Sequence, residues 1–245
     1  MVNTRSNQRT LSQRLHDELA EMISAANPGD QLPTEPDLAK QLGVSRATLR
    51  EAMRTFETQG FLLRRQGVGT FVVRPTQVLE TGLEVLESLD TIAQRKGLQV
   101  SPKKLNLERR PATEEECSIL ALKPGCMVLS VARVIMSEDR PVAYLVDILP
   151  EEILAPGEIG DEFTGSVLDL LIERGSPTLV NSHCEIAAVA ADTTSSRALQ
   201  IQRGDAILKL SSRLFALDGE VVACTLSYFL PGYFRFHVVR ELPSN

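Results

Sequence analysis

Six side chains between positions 45 and 65 could do chemistry together. Ser45, Arg46, Thr48 and Arg50 open one helical pattern, and Arg64 and Arg65 stand just before the glycines Gly67 and Gly69. A guanidinium is a planar fork that donates two parallel hydrogen bonds, which matches guanine O6 and N7 in a major groove. Serine and threonine hydroxyls, with the free N–H groups of a helix start, suit phosphate oxygens. Arg64 and Arg65, beside a turn, suit the charge of a nucleic-acid backbone and not its sequence. From Val44 to Arg74 there are 6 arginines against 2 glutamates, a local excess of +4 in a chain whose net charge is −6. Residues 1–75 hold 10 Lys/Arg against 8 Asp/Glu, and the remainder holds 16 against 24. The whole-chain balance therefore hides a cationic surface that fits a polyanion.

The elements that must hold these groups follow from spacing. Leu11, Leu15, Leu19, Met22 and Ile23 share one face of a helix over about Thr10–Ala26, which "NPGD" ends. "LPTEPD" begins a short second helix: Thr34 is its cap, Asp37 lies where a capping box needs a partner, and Leu38, Ala39 and Leu42 face inward. Ser45 caps a third helix and Gly60 ends it. On that helix Leu49, Ala52, Met53 and Phe56 fall in one arc, and Arg46, Arg50 and Arg54 in the adjacent one. "FLLRRQGVGTFVV" then reads as a hairpin with a glycine turn. Helix, short helix, basic helix and basic hairpin, in that order, predict a winged helix-turn-helix. Its third helix would enter the major groove and its hairpin would follow the flanking backbone.

The stretch Leu32–Val72, "LPTEPDLAKQLGVSRATLREAMRTFETQGFLLRRQGVGTFV", closely resembles the DNA-binding domain of the GntR family of bacterial transcription regulators. The match runs through LP-x-E, LGVSR-x-T-x-RE, the QG ending and the QG-x-GTFV wing. The resemblance implies DNA contacts from Ser45, Arg46, Thr48 and Arg50, with Gly67 at the wing tip in the minor groove. With the LP-x-E start and the basic hairpin, the candidate DNA-binding set is Thr34, Glu35, Ser45, Arg46, Thr48, Arg50, Arg64, Arg65 and Gly67. Many members carry an arginine after that glutamate; Pro36 stands there in this chain, which puts one family contact in question.

Beyond Arg74-Pro75 the composition changes. Leu83, Leu86 and Leu89 have helical spacing, so 76–92 is expected to be a linker with a lead-in helix between domains at 1–75 and 93–245. Strands are expected at 126–136, 141–149, 178–190, 206–217, 220–230 and 234–240, and helices near 113–121, 165–174 and 193–200. Short links such as "SEDRP" and "ALDGE" favour an antiparallel sheet in an α+β domain. Pro124–Pro150 and Arg203–Pro231 echo one another, and this repeat would make Arg133 and Arg213 counterparts across a pseudo-twofold.

Residues 93–241 resemble the UTRA domain, the effector-sensing half of the HutC branch of GntR regulators, through "PVAY", "SVLDLL" and "PGYFRF". That resemblance implies a chorismate lyase-like α+β fold, a small-molecule pocket and a homodimer built through the sheet. Sugar-phosphate-sensing relatives hold phosphate with a hydroxyl residue near the domain start, R-x-R and S-x-Y. This chain keeps Arg133 and Ser166 but has Asp90, Ile135 and Leu168 at the other places. An aspartate repels a phosphate and a missing arginine removes a charge-assisted pair, so the expected effector is not a hexose phosphate. The candidate effector set is Asp90, Arg133, Ser166, Arg213 and Tyr228. A buried structural ion pair is the competing reading of Arg133.

Other functions fit less well. The three histidines, His16, His183 and His237, are scattered, and no nucleophile elbow, phosphate loop or metal-spaced set occurs. His183-Cys184 could ligate a metal, but adjacent residues on a strand point to opposite faces, which favours ordinary structural places for both. An enzymatic second domain, with Glu185 and Asp192 as acid and base, is the alternative to a sensor, and a DNA-bound architectural protein is a third reading. Cys117, Cys126, Cys184 and Cys224 form no CxxC pair. With a polar N-terminus and no apolar run near the roughly 18–20 residues of a membrane span, they read as reduced cytoplasmic thiols. No cofactor or metal is expected.

Overall fold

Thr10 accepts the Gln13 N–H at 3.2 Å while Gln13 accepts the Thr10 N–H at 2.9 Å, and this reciprocal box opens α1 (Leu11–Ala25). The computed structural model describes residues 10–65, 67–73, 78–96, 100–137, 140–159, 163 and 165–240. Thr34 caps α2 (Glu35–Gln41) and Ser45 caps α3 (Arg46–Thr58). Leu15, Leu19, Ile23, Leu38, Leu49, Met53 and Phe56 meet Leu62 and Val72 in one core. Leu11, expected on that face, sits in the first turn and stays exposed.

The hairpin pairs β1 (Leu62–Arg65) with β2 (Gly69–Val72), Leu62 opposite Val72 and Arg65 opposite Gly69. Gln31 joins as a bridge to Phe71 and donates its side-chain amide to Val68 O at 2.9 Å. Gly69 holds φ +145, a backbone conformation that side chains rarely adopt, and a Cβ there would have to displace the Gln31 amide. Gln66 of the hairpin motif and Arg74 of the charge count lie outside the described residues.

The chain divides into two compact units at Thr76/Gln77. The second opens with β3 (Leu79–Gly82) and α4 (Leu89–Arg95). Its body comprises β4 (Val100–Pro111), α5 (Glu114–Ile119), β5 (Met127–Ser137), β6 (Arg140–Pro150), α6 (Val167–Arg174), β7 (Leu179–Ala190), α7 (Thr193–Leu199), β8 (Ala206–Ala216), β9 (Val221–Phe229) and β10 (Phe234–His237). Six strands form one antiparallel sheet in the order β4-β5-β6-β9-β8-β7, while β10 pairs parallel with β3. The α+β class is as expected.

Three expectations change. The segment 76–92 contains a strand bonded to β10, and the lead-in helix starts only at Leu89, because Ser88 is the residue that caps it. β4 was not anticipated: Pro102 and paired lysines disguise a strand at the sheet's edge, where an interrupted, charged sequence is tolerated. The echo survives as architecture, since β4-α5-β5-β6 and β7-α7-β8-β9 lie side by side with β6 and β9 at the centre. Arg133 and Arg213 are nevertheless not counterparts. Arg133 pairs with Leu145, Leu145 with Ser227 and Ser227 with Leu210, all on one face, whereas Arg213 pairs with Cys224 on the other. A slip of one residue between the copies exchanges the faces.

Candidate nucleic-acid interface and effector site

The first unit presents its arginines along α3 and β1. Arg46 is exposed at the first helical position and has no ion pair among the described residues. Arg50 Nε lies 2.9 Å from Glu35 Oε2, and Arg64 Nη2 lies 2.5 Å from Glu35 Oε1. Glu35 is thus a strut between the third helix and the hairpin, its side chain only 15% exposed against 53% and 40% for the two arginines. Both Glu35 oxygens are thus engaged by arginines, which ties the expected DNA-binding residues Glu35, Arg50 and Arg64 together. Thr34 accepts the Asp37 N–H and donates to the Asp37 carboxylate, which commits its hydroxyl to the start of α2. Ser45 accepts the Thr48 N–H at 3.1 Å, and the two hydroxyls lie 2.8 Å apart at the head of α3. Arg54 pairs with Glu51 one turn along. Arg65 lies over the Phe71 ring, 5.5 Å from its centre. Gly67 turns the hairpin tip at φ +75 with open space around it, so a backbone can approach closely there.

The second unit builds a polar island within its sheet. The row Val131–Asp147–Thr225–Ser212 adjoins the row Arg133–Leu145–Ser227–Leu210. One flank is the cluster around Leu129, Val131 and Leu149, and the other is the cluster around Ile135, Ala143 and Phe229. Arg133 Nη2 donates to Asp147 Oδ2 at 2.7 Å, and Thr225 donates to the other Asp147 oxygen at 2.8 Å. Arg133 is 5% exposed, yet its Nε and Nη1 are buried without a hydrogen-bond partner. The buried ion pair therefore uses only one nitrogen of the Arg133 guanidinium. Ser88, the cap of α4, donates to Asp169 Oδ2 at 2.6 Å, and Ser166, the cap of α6, accepts the Asp169 N–H at 3.1 Å. Burial pushes the Asp90 carboxyl upward; Arg133 opposes this, and Asp169 and Asp147 add to it, so the four charges share one neighbourhood.

The expected effector set therefore divides. Asp90, Arg133 and Ser166 come together. Tyr228 lies on the opposite face, stacked with Tyr144 at 6.0 Å, in the cluster beneath α7. Arg213 is exposed on that face and meets His183 Nδ1 at 3.3 Å. Strand alternation places both on the face away from Arg133. Asp147, Thr225, Ser88, Thr91 and Asp169 were missed. The signal for Asp147 was a lone carboxylate inside "PVAYLVDILP", since a charge in a buried strand requires a partner. Ile135, where phosphate-sensing relatives carry an arginine, is fully buried core. Cys224 is also core, its thiol pushed up to about 12 mainly by burial. Glu185 is exposed and Asp192 caps α7, so the pair offered as acid and base has ordinary structural places.

Comparison with known proteins gives two family matches. The model of bacterial regulatory proteins of the gntR family matches residues 11–72, and the UTRA domain model matches residues 95–235. The Histidine utilization repressor of Pseudomonas putida is 30% identical over 199 residues, covering 81% of this chain and 79% of the relative. The HTH-type transcriptional repressor NagR of Bacillus subtilis is 28% identical over 193 residues, 78% of each. The mannosyl-D-glycerate transport/metabolism system repressor MngR of Escherichia coli is 27% identical over 242 residues, 96% of this chain and 98% of the relative. The crystal structure of PhnF from Mycobacterium smegmatis covers 94% of this chain and all of its own with a TM-score of 0.63, and its 22% identity supports the fold alone.

Proposed function

The chain belongs to the gntR family of bacterial regulatory proteins, a ligand-responsive transcription regulator and not an enzyme, and from that premise we propose how it works. It acts in the cytoplasm as a dimeric repressor on a pseudo-palindromic operator, and a small metabolite releases it. Each α3 enters a major groove, Arg46 and Arg50 reading bases while Ser45, Thr48, Arg64 and Arg65 hold the backbone and Gly67 lets the wing tip approach. Glu35 aligns Arg50 with Arg64. The effector sits on the Arg133 island, and it is not a hexose phosphate, because Ile135 supplies no second cation and Asp90 adds an anion.

The observation that carries this reading is one exposed, unpaired arginine at the head of a capped α3, in the same chain as a buried arginine with free donors. A second copy docks through β7, a 12-residue edge strand exposed along most of its length, with Val180 and Ile186 about half exposed. Twofold symmetry then sets two reading heads on two half-sites. The 76–92 segment is the candidate hinge that transmits ligand binding, and its strand Leu79–Gly82 is tied to β10 of the second unit.

The test is selection from random duplexes, footprinting of the winner and addition of host metabolites. A twofold-symmetric footprint that metabolites release is expected; no preference over scrambled duplex at moderate salt defeats the reading. Calorimetry with a phosphosugar panel checks the effector class, and micromolar binding of a hexose phosphate overturns that part.

A further inference from the structure

The polar island contains donors that need an acceptor and carboxylates that need a cation. Arg133 satisfies Asp147 with Nη2 alone, and its buried Nε and Nη1 have nothing to donate to. Buried donors are ordinarily satisfied, so an acceptor from outside the chain completes them. Asp147 is complete with Arg133 and Thr225. Asp169 differs, because among the described residues its oxygens accept only the hydroxyls of Ser88 and Thr91, at 2.6 and 3.3 Å. No Lys, Arg or His among the described residues lies within ion-pair distance of Asp90 or Asp169. Among the described residues, one arginine faces three aspartates, which leaves two negative charges uncompensated. The short helices α4 and α6 offset only part of this through their N-termini.

Resting on the reading that this island is the effector site, we propose that the effector is amphoteric: an oxygen acceptor faces Arg133 Nε and Nη1, and a protonated nitrogen faces Asp90 and Asp169. A purely anionic ligand would meet the surplus negative charge, and a purely apolar one would leave the two donors buried and unmet. The cation also answers the repulsion that Asp169 and Asp147 exert on the partly buried Asp90.

The experiment fractionates host metabolites on an acid-form cation exchanger at low pH, where amines and amino acids are retained while neutral compounds, simple acids and phosphosugars pass. Each fraction is assayed for release of the full-length protein from its selected duplex. Releasing activity in the retained fraction is expected. Activity confined to the flow-through overturns the proposal and leaves the regulator reading intact, and activity in neither overturns the effector reading itself. Asp90→Asn supplies a second readout: apparent affinity for the retained fraction falls at least about tenfold while the melting temperature of the free protein holds or rises. An unchanged affinity in that variant also overturns the proposal.

Discussion

Replacing Arg133 by Met removes a cation 2.7 Å from Asp147 in a pair whose side chains are 6% and 9% exposed. Asp147 then keeps only the Thr225 hydroxyl, and an uncompensated buried charge costs about 3–5 kcal/mol. For a unit spanning residues 77–245, each kcal/mol moves the melting temperature by about 2–4 °C, so a fall of about 6–20 °C is expected. Adding Asp147→Asn removes the stranded charge and keeps an acceptor for Thr225, and it recovers at least about half of that loss by the logic of coupled pairs. Tyrosine emission in a urea titration isolates the relevant unit, because the chain has no tryptophan and its three tyrosines are Tyr144, Tyr228 and Tyr233. Both variants lose release by effector, since the free donors go with the arginine. A single substitution costing less than about 1 kcal/mol, or two losses that simply add, would show that water already screens the pair and would refute the island as a buried site.

Arg46→Ala leaves folding within about 0.5 kcal/mol, because the side chain is exposed and unpaired, yet it costs about 1–3 kcal/mol on the selected duplex in a binding titration. Arg65→Ala weakens all duplexes alike and flattens the salt slope by about one unit; equal losses on selected and scrambled DNA for Arg46→Ala contradict the division of roles. Gly69→Ala forces a side chain into φ +145 against Gln31, and it costs the first unit about 1 kcal/mol or more in a denaturation series. Asp90 has a folded-state pKa above its unfolded value, so the folded chain holds the extra proton and stability falls as pH rises from about 4 through the folded pKa. Asp90→Asn removes that fall: melting curves place the variant above the parent at pH 7, and the gap closes near pH 3.5.

Local chemistry made the reading head legible without coordinates. Caps at Thr34 and Ser45, apolar arcs at helical spacing and a glycine turn act over a few residues, and each fell where its spacing put it. The same short-range signals located most strands of the second unit. They failed at β4 and β3, where edge position and pairing to a distant strand, and not composition, make the backbone extended. Local spacing also could not show that Glu35 reaches across to both Arg50 and Arg64. The effector set was half legible for a related reason. Residue types at 90, 133 and 166 announced polar chemistry, but which face of a sheet a residue occupies depends on register summed over four strands. That summed register joined Asp147 and Thr225 to Arg133, and sent Tyr228 and Arg213 to the far side. The sequence by itself determined which groups could donate, accept or carry charge; tertiary structure decided which of them meet, because alternation turns a slip of one residue into a change of face.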